Sequence, residues 1–178
     1  MTPDHAPSDS ATPEDELTHL GPDGRPRMVD VSEKAHTTRT AIAEGSIRMS
    51  PATLEKLVRA GPKGEPLRVA ELAGIQAAKR TAELIPLCHL LAGVSASVEM
   101  TPDPALPGVR ARATARVQGN TGVEMEALTA VTVALLTLYD MGKAVDRGMT
   151  LGEIRLVEKA GGRSGLWRAN DAEGGSKV

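Results

Sequence analysis

The order of apolar periods along the chain predicts an α+β fold: a ferredoxin-like antiparallel sheet with helices packed on one face and one extra helix. Three stretches carry that prediction. Residues 109–117 (VRARATARV) alternate strictly, with Arg on one face and Val or Ala on the other, as a strand with one buried face must. Residues 94–100 (VSASVEM) alternate in the same way, and Pro102, Pro104, Pro107 and Gly108 supply the turn between the two. Residues 124–145 are apolar nearly all round, through Val131, Val133, Leu135, Leu136 and Leu138. Such a helix has no wet face along most of its length, so it lies on a sheet and against another subunit.

The remaining elements complete the order β–α–α–β–β–α–β. Residues 41–49 alternate loosely and read as the first strand. Ser50 and Pro51 follow as N-cap and first helical residue of a short helix to about Arg59, which Gly61-Pro62 stops. A second helix is predicted over 69–84, where Leu72, Ile75, Gln76, Lys79 and Glu83 recur at spacings of three and four until Pro86 ends it. Residues 154–157 close as a strand ahead of Ala160-Gly161-Gly162. Residues 1–16 mix Pro, Ser, Thr and acids without period and are expected to form a disordered acidic tail. Residues 17–166 make a single catalytic domain, and 167–178 a flexible C-terminal tail.

With 178 residues, 40% of them hydrophobic, the chain can bury one sizeable core. One Trp, one Tyr and no Phe make that core aliphatic and remove the aromatic platforms on which bases stack. The net charge of −2 is uneven: residues 1–20 hold five acids and no Lys or Arg, leaving 21 basic against 18 acidic groups elsewhere. A mildly basic body suits a small anionic ligand and is too weak for nucleic acid. Cys88 is the only cysteine, so no disulfide forms within the chain. The N-terminus lacks the basic and apolar regions of a secretory signal. The uncharged run 127–139 is well short of the roughly 20 residues of a membrane span. A cytoplasmic protein is expected, without membrane or nucleic-acid partner.

Four groups could carry chemistry. The loop Gly119-Asn120-Thr121-Gly122 opens a helix whose first turn holds Glu124 and Glu126; free backbone N–H groups and the helix dipole there favour an anion, while the acids read equally well as dipole-stabilising residues. Asp140 and Lys143 share a helix face near a C-terminus, where an acid is disfavoured. They are either a surface ion pair or a partly buried proton-transfer group with its lysine. Leu87-Cys88-His89 follows a helix, and His89 could act as acid, base or phosphate donor, or serve only structurally. No second His or C-x-x-C nearby supplies a metal site. Lys63, in a Gly-Pro-Lys-Gly loop, Arg39, Lys79 and Lys159 are cations that singly read as solvated. Glu126 and Asp140 lie roughly 21 Å apart at 1.5 Å per residue, so one small ligand cannot touch both within one chain. Either there are two sites or one is built from two subunits.

The segments MVDVSEKA (28–35), AGIQAAKRT (73–81), LIPLCHLL (84–91), the run 121–149 and KAGGRSG (159–165) closely resemble the cyclic pyranopterin monophosphate synthases, the molybdenum cofactor biosynthesis protein C family. The resemblance implies a small ferredoxin-like lyase forming a homohexamer, a trimer of dimers, with sites at subunit interfaces. Its members convert 3′,8-cyclo-7,8-dihydro-GTP, made by a radical S-adenosylmethionine GTP cyclase, to cyclic pyranopterin monophosphate and pyrophosphate. By the resemblance Asp140, Lys63 and Lys143 are catalytic. Leu87, Cys88, His89, Glu124, Met125, Glu126, Arg39, Lys79 and Lys159 bind substrate. No cofactor is implied, with Mg²⁺ accompanying the pyrophosphate left open. The chain departs from the family at Leu90 (commonly Pro), Asn120 (often Lys), Gly142 (often Cys) and Arg163 (often Lys). The change at Asn120 is expected to weaken anion binding at that loop.

A ligand-sensing module of the same fold is the competing reading. It would need no Asp140 and Lys143 pair in a desolvated setting, and would be tethered to an effector domain that this sequence does not contain.

Overall fold

The computed structural model describes residues 19–59, 65–163 and 165–169, so the predicted acidic tail lies outside the described residues. The chain divides into two units, Met1–Asp30 and Val31–Val178. In the first, a turn joins Leu20 to Pro26 across a single β-bridge, closed by Arg27 N–H donating to the His19 carbonyl.

The second unit holds the fold. In chain order it comprises β1 (Thr37–Arg48), α1 (Pro51–Val58), α2 (Pro66–Ala78), α3 (Thr81–Leu84), β2 (Ser95–Asp103), β3 (Gly108–Gly119), α4 (Glu124–Gly142), β4 (Thr150–Ala160) and β5 (Trp167–Arg168). The strands form one sheet in the order β2-β3-β1-β4-β5, every neighbour antiparallel. Its first four strands have the predicted ferredoxin-like arrangement, and α2 and α4 pack together on it.

Alternation decides which face is covered. On β3 the side chains of Val109, Ala111, Ala113, Ala115 and Val117 are buried while Arg110, Arg112 and Arg116 are exposed. Ala41, Ala43 and Ile47 do the same on β1. Against this floor α4 presses Ala127, Ala130, Val131, Ala134, Leu135 and Leu138, each with no exposed surface. Small residues let backbones approach closely. A Cβ on Gly74 of α2 would stand 2.7 Å from the Ala130 carbonyl oxygen of α4, and one on Gly45 would stand 2.8 Å from Val131 Cγ1. Among the described helices α4 alone is long and apolar enough to cross a bilayer, but its apolar residues are largely committed to this core.

Helix α1 starts as predicted. Ser50 is extended, its hydroxyl accepts from Thr53 N–H, and Pro51 takes the first helical position. Asp146, in the loop after α4, accepts from Ser50 N–H at 3.0 Å and from the Thr53 hydroxyl at 3.3 Å. Those bonds, the Ser50 N–H first, hold its carboxyl below the ordinary carboxylate value.

Two predictions need correction. The helix expected over 69–84 is two: α2 ends at Ala78, and α3 restarts at Thr81, whose buried hydroxyl donates to the Ala77 and Ala78 carbonyls. That side-chain bond competes with continuation of the ladder. The C-terminal tail begins later than expected, because Trp167 pairs with Lys159 and Arg168 with Glu158 to make β5. The Arg168 guanidinium also meets the Glu158 carboxylate at 2.9 Å.

Replacing Gly74 by Val should force α2 off α4 and lower stability by about 1–3 kcal/mol, the usual cost of overpacking. Thermal unfolding checks this, and an unchanged melting temperature would show that the helices can separate without cost.

Candidate active site

One cluster gathers at the N-terminal end of α4. The helix begins behind Val123, which offers no side-chain cap, and its first turn carries Glu124 and Glu126. The Glu124 carboxylate folds back over the loop: a Cβ on Gly122 would stand 1.8 Å from its Oε2. Glu124 Oε1 also receives Lys159 Nζ at 3.2 Å. Lys159 comes from β4, opposite Ala41 and thus on the helix-covered side of the sheet. The carboxylate thus lies between the Gly122 loop and Lys159. Asn120, whose lost lysine was expected to weaken that site, donates its amide to the Val31 carbonyl at 2.9 Å.

Arg39 of β1 enters the same region. Its Nε donates to the Gly119 carbonyl at 3.0 Å. The glycines after β4 close over it. A Cβ on Gly162, at φ +72°, would stand 2.3 Å from Arg39 Nη1, and one on Gly161, at φ +98°, would stand 2.1 Å from the Thr38 carbonyl oxygen. Positive φ and close approach both demand glycine here.

Glu126 is only 3% exposed. Burial lifts its carboxyl pKa above the usual value, opposed by its own backbone N–H and reinforced by Glu124. Cys88 is the neighbour that feels it: burial raises the thiol pKa, and the Glu126 charge adds to the rise. The Leu87-Cys88-His89 segment thus lies within electrostatic reach of the start of α4. It is held in a tight turn in which Cys88 N–H donates to the Ile85 carbonyl. Pro86 takes the second position and Leu87, at φ +61°, the third, where glycine is usual. A left-handed Leu costs about 1 kcal/mol or more.

The other end of α4 is different. Lys143 and Asp140 are hydrogen-bonded, and their side chains are 55% and 68% exposed. The bond to Asp140, then its charge, raises the Lys143 pKa. Of the two readings the sequence left open, the exposed ion pair is the one a single chain shows for Asp140. It stands on an outward stripe of α4 formed by Met125, Thr132, Leu136, Asp140 and Lys143, all exposed. Lys79 is the exposed C-cap residue of α2. Lys63 lies outside the described residues.

So the fold unites Arg39, Glu124, Glu126, Lys159 and Cys88, with His89 and Met125 beside members of that set. It leaves Asp140 and Lys143 a helix length away. The Gly119 carbonyl and the Gly162 contact that seat Arg39 were not foreseen. The one signal was the pair of glycines after Lys159. Among the described residues no three His, Cys, Asp or Glu side chains lie close enough to hold a metal ion. What the cluster offers is acid/base and anion chemistry.

Burial makes an ionised Glu126 a liability. A carboxyl whose folded pKa is raised penalises the fold once pH exceeds its unfolded value near 4.5, and the penalty is complete above the folded pKa. Glu126→Gln should therefore melt above the parent at neutral pH, with the gain disappearing below about pH 4.5. A pH-independent difference in melting temperature would contradict this.

Residues 28–162 match the MoaC family. The cyclic pyranopterin monophosphate synthase of Chloroflexus aggregans is 59% identical over 159 residues, 89% of this chain and 96% of that protein. The synthase of Methylobacterium nodulans is 61% identical over 158 residues, 88% and 98% of the two chains. That of Brucella ovis is 54% identical over 156 residues, 87% and 94%. The chain belongs to the MoaC family.

Proposed function

We propose that this chain is a cyclic pyranopterin monophosphate synthase. It converts 3′,8-cyclo-7,8-dihydro-GTP to cyclic pyranopterin monophosphate with release of pyrophosphate, in molybdenum cofactor biosynthesis. The observation that carries the mechanism is the outward stripe of α4. Met125 stands at one end and the Asp140 and Lys143 pair at the other, joined by Thr132 and Leu136. Leu136 is 55% exposed, and Leu72 on the neighbouring helix α2 is 57% exposed. Exposed leucines on the helical layer favour a covering partner.

A second copy laid antiparallel on that stripe brings Asp140 and Lys143 of one protomer to Met125, Glu126 and Cys88 of its partner. The cover removes water from the exposed pair and supplies the desolvated acid and lysine that sequence alone suggested. Within the composite site Asp140, Lys143 and Lys63 move protons during ring opening and rebuilding. Arg39, Lys79 and Lys159 hold the triphosphate. They neutralise the charge that grows on the departing pyrophosphate as a substrate hydroxyl oxygen closes onto the α-phosphorus. Leu87, Cys88, His89, Glu124, Met125 and Glu126 seat the purine-derived rings. No resident cofactor enters the reading, and any Mg²⁺ arrives with the phosphates. Three such dimers form the hexamer, in the cytoplasm, with substrate supplied by a radical S-adenosylmethionine GTP cyclase.

The direct test is turnover of the cyclised GTP substrate, read as pyrophosphate and cyclic phosphate product. Asp140→Asn should lose at least about a hundredfold in kcat, the scale of a lost acid/base group, and keep its melting temperature. The composite arrangement makes a sharper prediction: Asp140→Asn and Glu126→Gln, each nearly inactive, should regain up to about a quarter of parental activity when unfolded together and co-refolded. No recovery in co-refolded mixtures would place each site within one chain.

A further inference from the structure

Trp167 is the only tryptophan of the chain, and it is not spent on the core. It sits on β5, a strand of two residues, and is 42% exposed, beside Leu166 at 59%. Apolar side chains scattered over a surface need no explanation by themselves. What singles this one out is its register. Trp167 pairs with Lys159, Lys159 with Ala41, Ala41 with Ala115 and Ala115 with Ala96, so one row crosses all five strands. Side chains of a row share a face of the sheet. Ala41 and Ala115 are fully buried, so this row runs on the helix-covered side. It leaves that cover at its last two members. Lys159 carries its ammonium to Glu124 at the start of α4, and Trp167 follows it outward by one strand.

The short strand that presents the ring is well tied down. Arg168, alternating to the other face, meets the Glu158 carboxylate at 2.9 Å, and Ala169 N–H donates to the Val157 carbonyl at 2.9 Å. Gly161 N–H donates to the Gly165 carbonyl at 3.2 Å. The glycines between β4 and β5 include Gly162, which closes over Arg39. The stretch that seats Arg39 therefore also delivers Trp167 to the flank of Lys159. Paired residues hold their Cβ atoms about 4.5–5.5 Å apart, so the indole begins next to the lysine stem.

An indole offers a flat apolar face and a single N–H donor. Its neighbours on this side of the sheet are Lys159 and, across it, Glu124, both given above to the substrate. Phosphate groups are strongly hydrated and gain little from an apolar wall. The pyrimidinone ring of a guanine-derived substrate is flat, and it has a π-face on which an aromatic side chain can stack. The composition excludes the rows of aromatic platforms that bind a nucleic-acid strand. One ring at the edge of a small-molecule cluster is a different provision.

We propose that Trp167 is a substrate-binding residue, whose indole stacks on the flat guanine-derived ring and closes the outer flank of the Lys159 and Glu124 cluster. It lies outside the set of residues assigned above, and its role rests on the synthase reading. Loss of such a stack weakens binding by about tenfold to a hundredfold.

Because Trp167 has no second tryptophan beside it in the sequence, tryptophan emission reports this residue alone. In the full-length Asp140→Asn chain saturated with 3′,8-cyclo-7,8-dihydro-GTP, quenching of that emission by acrylamide should fall by about half or more, as one face of the ring is covered. Pyrophosphate alone should leave the quenching unchanged. In turnover of the same substrate, Trp167→Ala should raise KM about tenfold or more with kcat little altered, and Trp167→Phe should recover most of the loss. A parent chain with full turnover whose Trp167 stays equally open to acrylamide overturns this role alone, and so does equal protection by pyrophosphate or a parental KM in Trp167→Ala. A parent chain without turnover overturns the synthase reading and this role with it. Should Trp167→Ala fail to fold, the quenching measurement decides, since it is made with Trp167 in place.

Discussion

The close seating of α4 on an alanine floor is the contact on which the rest of this structure depends. With no Phe and only one Trp and one Tyr in the chain, no large ring fills space between layers, so burial has to come from proximity. Ala41, Ala43, Ala111, Ala113 and Ala115 on the sheet meet Ala127, Ala130 and Ala134 on the helix, all at most 1% exposed. Gly45 and Gly74 remove the last Cβ atoms from the crossing points. A helix seated this tightly holds its N-terminal acids at a fixed height over the sheet. Lys159, a residue of that sheet, therefore reaches Glu124 without any loop having to adjust.

The same seating explains the chemistry of Glu126. It lies one residue before Ala127, which is fully buried against the sheet, so its carboxyl is drawn in with the helix. Beside it Met125 faces outward and belongs to the uncovered stripe. One turn of helix thus presents a buried acid and an exposed anchor side by side, and the far end presents the exposed Asp140 and Lys143 pair. A single chain solves its own burial and leaves an open surface of definite polarity.

Much of this was legible in sequence, for physical reasons that differ by element. β3 declared itself because its outward face is Arg or Thr and its buried face Ala or Val throughout nine residues. Ser50-Pro51 declared itself because capping and a fixed φ are local properties. The break between α2 and α3 was hidden, since no Gly or Pro marks it and the cause is a Thr81 hydroxyl turned back on its own helix. β5 was hidden because two residues have no period. In the site, residue types were legible while partnerships were not. Lys159 meets Glu124, and Gly162 meets Arg39, only through a β1 to β4 register carrying two irregularities, which no pattern along the chain encodes. For Asp140 the sequence left a surface ion pair and a partly buried acid open, because exposure depends on what packs over the helix and not on its own period.

Glu124 has one further consequence. Lys159 could attract an anion, and it already has a carboxylate of the chain beside it, that of Glu124 at 3.2 Å. An anion drawn to that lysine would compete with an internal carboxylate whose effective concentration no dilution can lower. The measured affinity for any anion there is a difference between two attachments.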